Sequence, residues 1–169
     1  TQRLVEFGQR TGLMIYLQPG GNDSVHALWP ADAALRFRIP AADVELAFRP
    51  LDFVQVNAGM NQRMIARTLD MLDPQPGERV LDLFCGLGNF TLPIARRAAS
   101  VVGVEGEAGL VARARDNARA NGITNAEFFA ADLSQDLRGE AWVKQGFDKL
   151  LLDPPRTGAQ VVLEQLRFP

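Results

Sequence analysis

The chain has 169 residues, enough for one domain or one and a half with a core of real size. With 47% hydrophobic and 22% charged residues it reads as an ordinary soluble globular protein, with no apolar run near the roughly 20 residues a bilayer needs and no signal peptide. A net charge of −2 supplies no basic field for nucleic acid, and one cysteine excludes an internal disulfide or a cysteine-based zinc or iron–sulfur site, so a cytoplasmic location is expected.

Residues 1–56 alternate with the period of strands. Leu4–Phe7, Leu13–Leu17, Val25–Trp29, Leu35–Ile39 and Val44–Phe48 are each predicted as short strands, with Pro, Gly, Asn and Asp between them. They predict a small antiparallel, β-rich unit. His26 has no metal-ligand neighbour there and reads as a structural or surface histidine. Asn57 is placed to cap a helix over 59–72 whose apolar positions are Met60, Met64, Ile65, Leu69 and Leu72. Pro74 and Pro76-Gly77 end it.

From residue 79 the pattern is regularly β-α-β. Strands are predicted at 79–84, 101–105, 126–130 and 147–152, with helices near 90–98, 107–121 and 135–144. Asn121-Gly122 supplies a helix stop. Runs such as Val101-Val102-Gly103-Val104 are apolar throughout, as expected of strands covered on both faces. Right-handed crossovers then bring every strand's C-terminal end to one side of the sheet, where ligands bind. A start without methionine, and an end at Pro169 just after a helix begins, are read as marks of an excerpt of a longer protein.

Between Val80 and Phe90 an apolar strand runs into a glycine turn that opens a helix, V-L-D-L-F-C-G-L-G-N-F. Glycines let a ligand approach bare backbone, and the helix start offers unpaired N–H groups. Seventeen residues beyond Gly88 a second strand ends on Glu105, placed to accept hydrogen bonds from ribose hydroxyls. The pair of signals points to an adenosine-containing cofactor. A dinucleotide turn wants a third glycine, but Gly86 and Gly88 are followed by Asn89, Phe90 and Thr91. Asp82 on the strand would repel a pyrophosphate and suits an ammonium. S-Adenosylmethionine has an ammonium, a sulfonium and no phosphate, and is preferred to NAD on that ground.

The third and fourth strands end on Asp132 and on Asp153-Pro154-Pro155-Arg156. Asp132 can accept from an adenine amino group, and Phe84 can cover apolar parts of the ligand. Each acid could instead cap a following helix, but three acids at three successive strand ends favour the ligand. The two prolines hold the Asp153 carboxylate at the sheet edge, where a methyl acceptor would meet the sulfonium. Methylases of exocyclic amines place an aromatic after such a motif. Here Arg156 follows, which argues against amine chemistry and leaves carbon methylation open. Arg156 reads equally well as a contact to RNA phosphate or as a carboxylate's partner. Of the basic residues sixteen are Arg and two Lys, which suits phosphate contact, although high-GC coding accounts for it better.

Phe53-Val54-Gln55-Val56-Asn57 before a helix, D-L-F-C-G-L-G-N-F, V-V-G-V-E-G and L-L-D-P-P-R-T-G together resemble the RNA uracil-5-methyltransferases. Within that family the likeness is greatest to the type that modifies bacterial 23S ribosomal RNA, and it is most specific from Phe53 onward. The resemblance implies a Rossmann-like class I methyltransferase core with a partial parallel sheet over 57–169, preceded by a small β-rich domain over 1–56. It implies cofactor contacts at Gln55, Phe84, Asn89, Glu105, Asp132 and Asp153, beside Asp82, Gly86 and Gly88 of the turn, with Asp153 lying between methyl donor and target base. The family accepts Asn at the position of Asp132.

In the family a cysteine thiolate adds to uracil C6, C5 takes the methyl, and a base removes the C5 proton. The resemblance puts that cysteine beyond Pro169 and the base, a glutamate, further on. Cys85 is not the nucleophile. An RNA-binding barrel and a 4Fe–4S cluster are expected of the parent protein and not of this chain. The target base must leave its stack to reach the crevice. A tRNA uracil-5-methyltransferase, or a cofactor-binding domain without catalysis, are the rival expectations.

Overall fold

The computed structural model describes residues 1–166, which fall into two compact units, Thr1–Arg36 with Ala47–Phe53, and Phe37–Leu46 with the described residues from Val54 onward. The first contains α1 (Gln2–Thr11), β1 (Ile15–Leu17) and β2 (His26–Trp29). Strands β1 and β2 pair antiparallel. The strand expected at Leu4–Phe7 is instead part of α1. The four residues hold too few apolar positions to separate the two periods, and local bonds decide for the helix. The Gln2 amide donates to Glu6, four residues on, the Thr11 hydroxyl donates to the Phe7 carbonyl, and Gly12 closes the helix in the left-handed region. Gly8 lets the helix lie close to the sheet, since a Cβ there would stand 2.8 Å from the Trp29 ring.

β3 (Leu35–Ile39) and β4 (Val44–Phe48) form a second two-stranded sheet. Its turn belongs to the second unit because polar bonds fasten it there. Asn121 accepts from the Glu45 N–H at 2.8 Å and donates to the Glu45 carbonyl at 2.7 Å, as a neighbouring strand would. The Arg96 guanidinium donates to the carbonyls of Ala42, Asp43 and Asn121.

The second unit continues with α2 (Ala58–Leu72), β5 (Arg79–Leu83), α3 (Thr91–Ala95), β6 (Ser100–Glu105), α4 (Ala108–Ala120), β7 (Ala126–Ala130), β8 (Lys149–Leu152) and α5 (Gln160–Gln165). The Asn57 side chain accepts from the Met60 N–H and starts α2 as the sequence predicts. Met60 faces out, however, and Asn61 is buried beside Ile65 and Leu69. The four parallel strands lie in the order β7-β6-β5-β8, with Asp82 level with Gly103 and Gly103 level with Phe128. First and second strands in the centre, third and fourth outside, is the arrangement of an open nucleotide-binding sheet.

Alternation along β5 and β6 sends Leu81, Leu83, Val102 and Val104 into one core with Leu137, Trp142, Phe147 and Val162. The opposite alternation puts Asp82, Gly103 and Phe128 side by side. Gly103 has to be small, because a Cβ would meet the Phe128 ring at 2.8 Å and the Cys85 sulfur at 3.0 Å.

The helix predicted near 135–144 is not formed. Turns lead instead to a 3₁₀ turn at Trp142–Gln145. Side chains take the backbone groups a helix would have used: Asp136 accepts from the Arg138 N–H at 3.0 Å, and Gln165 bridges the Leu137 N–H and the Gln135 carbonyl. Trp142 is thereby sunk into the core. Among the described residues no helix is long and apolar enough to cross a membrane, and no group of three or more His, Cys, Asp and Glu side chains is placed to hold a metal ion.

Candidate functional site

The glycine turn after β5 is the most contorted stretch of the chain. Phe84, Gly86 and Gly88 have φ of +64°, +55° and +98°. Glycine adopts such angles freely, whereas an aromatic residue does so at a cost of about 1–3 kcal/mol. That strain reverses the backbone at the strand's end, and the Phe84 ring forms part of a cleft of about 510 Å³. Glu105 at the end of β6 and Asp132 just after β7 line the same cleft, with Gly106, Pro155 and Thr157. The C-terminal ends of three strands thus meet where the sequence places them. A wider hollow of about 810 Å³, over Gln135, Arg138 and Gln165, contains none of these strand-end groups.

Three of the turn's backbone donors are used internally. The N–H groups of Cys85, Gly86 and Gly88 donate to the Val104 carbonyl at 3.1 Å, Glu105 Oε2 at 3.1 Å and the Cys85 carbonyl at 3.0 Å. A phosphate cradle requires such donors to be aimed at the ligand. The N–H groups of Cys85, Gly86 and Gly88 are not free to cradle a phosphate. Glu105 also accepts the Glu107 N–H through Oε1 at 3.1 Å, so the carboxylate braces the turn and retains a lone pair on each oxygen.

Asp132 accepts from the Ser134 hydroxyl at 2.6 Å and the Ser134 N–H at 2.9 Å, and from the Gln135 amide at 3.3 Å. The Ser134 bonds, first of all its hydroxyl's, hold this exposed carboxylate below the usual range. It therefore both caps the following turn and faces the cleft.

Asp82 lies beneath the cleft with no solvent exposure at all. Its Oδ2 accepts the Thr91 hydroxyl at 2.5 Å, and its Oδ1 is buried with no hydrogen-bond partner among the described residues. Burial pushes its pKa up to about 7; the Thr91 bond opposes the shift, and the charges of Asp153 and Glu105 add to it. Cys85 is also buried, and that burial, first, and the acids Asp82 and Glu105 raise its thiol well above the ordinary range. A neutral, sealed thiol is a poor nucleophile.

Gln55, Asn89 and Asp153 do not line the cleft. Asp153 follows β8, exposed, with its N–H directed at the Leu83 carbonyl. Gln55 is exposed in the irregular stretch before α2, beside Val56, which is 93% exposed. Asn89 is half-buried, and its amide is paired head to tail with Asn61: each Nδ2 donates to the other's Oδ1 at 2.9 Å. Asn61 is not suggested by the sequence pattern, where it reads as one polar residue in a helix. The signal that marks it is a polar residue one position from the apolar stripe.

With this geometry known, comparison with other proteins is decisive. The sequence model of the family described as tRNA (uracil-5-)-methyltransferase matches residues 34–166. The chain belongs to that family. It is 68% identical over 165 residues to the 23S rRNA (uracil(1939)-C(5))-methyltransferase RlmD of Xanthomonas campestris pv. campestris, covering 98% of this chain and 37% of that relative. The chain therefore spans little more than a third of the length of that relative. Among solved structures it resembles the Pyrococcus abyssi tRNA (uracil-54, C5)-methyltransferase bound to S-adenosyl-L-homocysteine, with a TM-score of 0.69 and 24% identity over 90% of this chain and 37% of that one. The T. thermophilus 16S rRNA N2 G1207 methyltransferase, in complex with AdoMet and guanosine, gives a TM-score of 0.61 and 25% identity over 98% of this chain and 50% of that one. The α/β fold with a parallel central sheet is the fold these methyltransferases share.

Proposed function

We propose that this chain is the S-adenosylmethionine-binding part of an RNA uracil-5-methyltransferase acting on 23S ribosomal RNA. The observation that carries the reading is the cleft where Phe84, Glu105 and Asp132 meet beside a turn whose Cys85, Gly86 and Gly88 N–H groups are already used. An adenosyl group needs an apolar cover, an acceptor for its ribose and an acceptor for its amino group, and needs no phosphate cradle. The 68% identity to a 23S rRNA methyltransferase supports the substrate.

In this reading residues 57–169 are the cofactor-binding domain and 1–56 part of a β-rich domain. The cofactor supplies an electrophilic methyl group on a sulfonium. Phe84 covers the adenosyl group, Glu105 takes the ribose hydroxyls and Asp132 the adenine amino group. Gly86 and Gly88 keep the turn low enough for the ligand to pass. Gln55 and Asn89 bind its amino-acid end, and the buried Asp82 favours an ammonium there once it has released its proton. Asp153, held by Pro154 and Pro155, stands between donor and target base. The thiolate that activates uracil belongs to a cysteine outside this chain, since Cys85 is sealed. An RNA-binding barrel and a 4Fe–4S cluster are assigned to the parent protein, which works on RNA in the cytoplasm.

Calorimetric titration of the chain with S-adenosylmethionine, S-adenosylhomocysteine and NAD tests the cofactor. The two adenosyl sulfur compounds are expected to bind and NAD to bind more weakly. Tighter binding of NAD would overturn the reading. A second substrate, tRNA, is favoured by the description of the matched family. Methyl transfer by the parent enzyme to 23S rRNA fragments and to tRNA transcripts separates the two.

A further inference from the structure

The reciprocal pair of Asn61 and Asn89 joins the first turns of α2 to the glycine turn, 28 positions along the chain. Asn61 is only 3% exposed. A buried primary amide is expensive unless its donor and acceptor are both used, and an aliphatic side chain would fill the space at less cost. Here both are used on one partner, and neither side chain makes another hydrogen bond among the described residues. The pair fixes the Asn89 amide plane, leaving it one N–H and one carbonyl lone pair for a ligand.

The backbone of the same residue makes a second link. The Asn61 N–H donates to the Asn57 carbonyl at 2.9 Å, and Asn57 caps α2 directly after the stretch that carries Gln55. Residue 61 thus meets Asn89 through its side chain and the helix cap that follows Gln55 through its backbone. Two polar groups that must grip a zwitterionic amino-acid head gain most from being held before it arrives.

We infer that Asn61 is a positioning residue for the cofactor: it orients the Asn89 amide for the amino-acid end of the adenosyl ligand without touching the ligand itself. The inference rests on the cofactor assignment above. If it holds, removing Asn61 weakens binding only through Asn89, so the two residues do not contribute independently.

The test is a double-mutant cycle read by calorimetric titration of the chain with S-adenosylhomocysteine, using Asn61→Ala, Asn89→Ala and both together. Asn61→Ala should raise Kd about tenfold, the scale of one lost hydrogen bond. The double variant should bind within about twofold of Asn89→Ala alone. Thermal unfolding of each variant confirms that it is folded, and Asn61→Ser, a milder truncation, takes the place of Asn61→Ala if that variant is not. Additive losses, or Asn61→Ala binding like the unchanged chain, would overturn the inference while leaving the cofactor assignment standing. An unchanged chain that fails to bind S-adenosylhomocysteine would remove the assignment and the inference together.

Discussion

The Thr91 hydroxyl donates to Asp82 Oδ2 at 2.5 Å in a place solvent does not reach, while Oδ1 is left without a partner among the described residues. Bonding from Thr91 does not offset full burial, so the acid keeps its proton up to about pH 7 in the folded chain. Unfolded, it releases that proton near pH 3.8. Between those values the folded state holds more protons than the unfolded one, so stability falls as pH rises from about 4 to about 7. Replacing Asp82 by Asn removes the charge. The variant's unfolding free energy, measured by denaturant titration, should gain on the unchanged chain by roughly 1–3 kcal/mol between pH 5 and pH 8. A difference that stays constant with pH would show that Asp82 is ionised throughout.

Glu105 braces the turn, and the proposed function gives it a second task, accepting from a ribose. Glu105→Ala should cost roughly 1.5–3 kcal/mol of S-adenosylhomocysteine affinity, the range for hydrogen bonds to a charged group. It should also lower stability by about 1 kcal/mol, because the Gly86 N–H loses its acceptor. Calorimetry and thermal unfolding read the two separately. Unchanged affinity would move the ribose to another part of the crevice.

Gly103 is closed in by the Phe128 ring and the Cys85 sulfur. Gly103→Ala should destabilise by about 1–3 kcal/mol, the usual penalty of an overfilled core. Phe128→Leu added to it should restore part of that loss, which denaturant titration of the single and double variants would reveal. Full stability in Gly103→Ala would mean that the ring shifts freely.

The Cys85 thiol, buried and raised in pKa, should ignore a thiol reagent at pH 8 until the chain is unfolded. Rapid labelling of the folded chain would contradict this. In the parent enzyme, Cys85→Ala should leave methyl transfer largely intact.

Much of this molecule can be read before it is folded. The parallel strands carry Val, Leu and Phe in short runs closed by Gly, Asp or Pro, and their ends fall within a residue or two of 79–84, 101–105, 126–130 and 147–152. Burial on both faces leaves few alternatives for such runs. Two segments misled. Leu4-Val5-Glu6-Phe7 is too short for either period to win, and bonds between turns of α1 decided it. In 135–144, Asp136 and the distant Gln165 outbid the helix for backbone groups, a competition no local pattern records. The crevice was legible through Phe84, Glu105 and Asp132, whose positions depend only on where strands stop. The Asn61 pairing was not, because it depends on how α2 meets the glycine turn, and that is settled by tertiary packing.

The left-handed backbone at Phe84 restricts what evolution or an engineer can put there. Valine and isoleucine, apolar enough to cover an adenosyl group, crowd their own carbonyl in that region and would drag the turn out of shape. Glycine fits the angle and offers no surface. A saturation library at this site should therefore divide into variants that keep the bend and lose the ligand and variants that lose both, with tyrosine as the tolerated substitute.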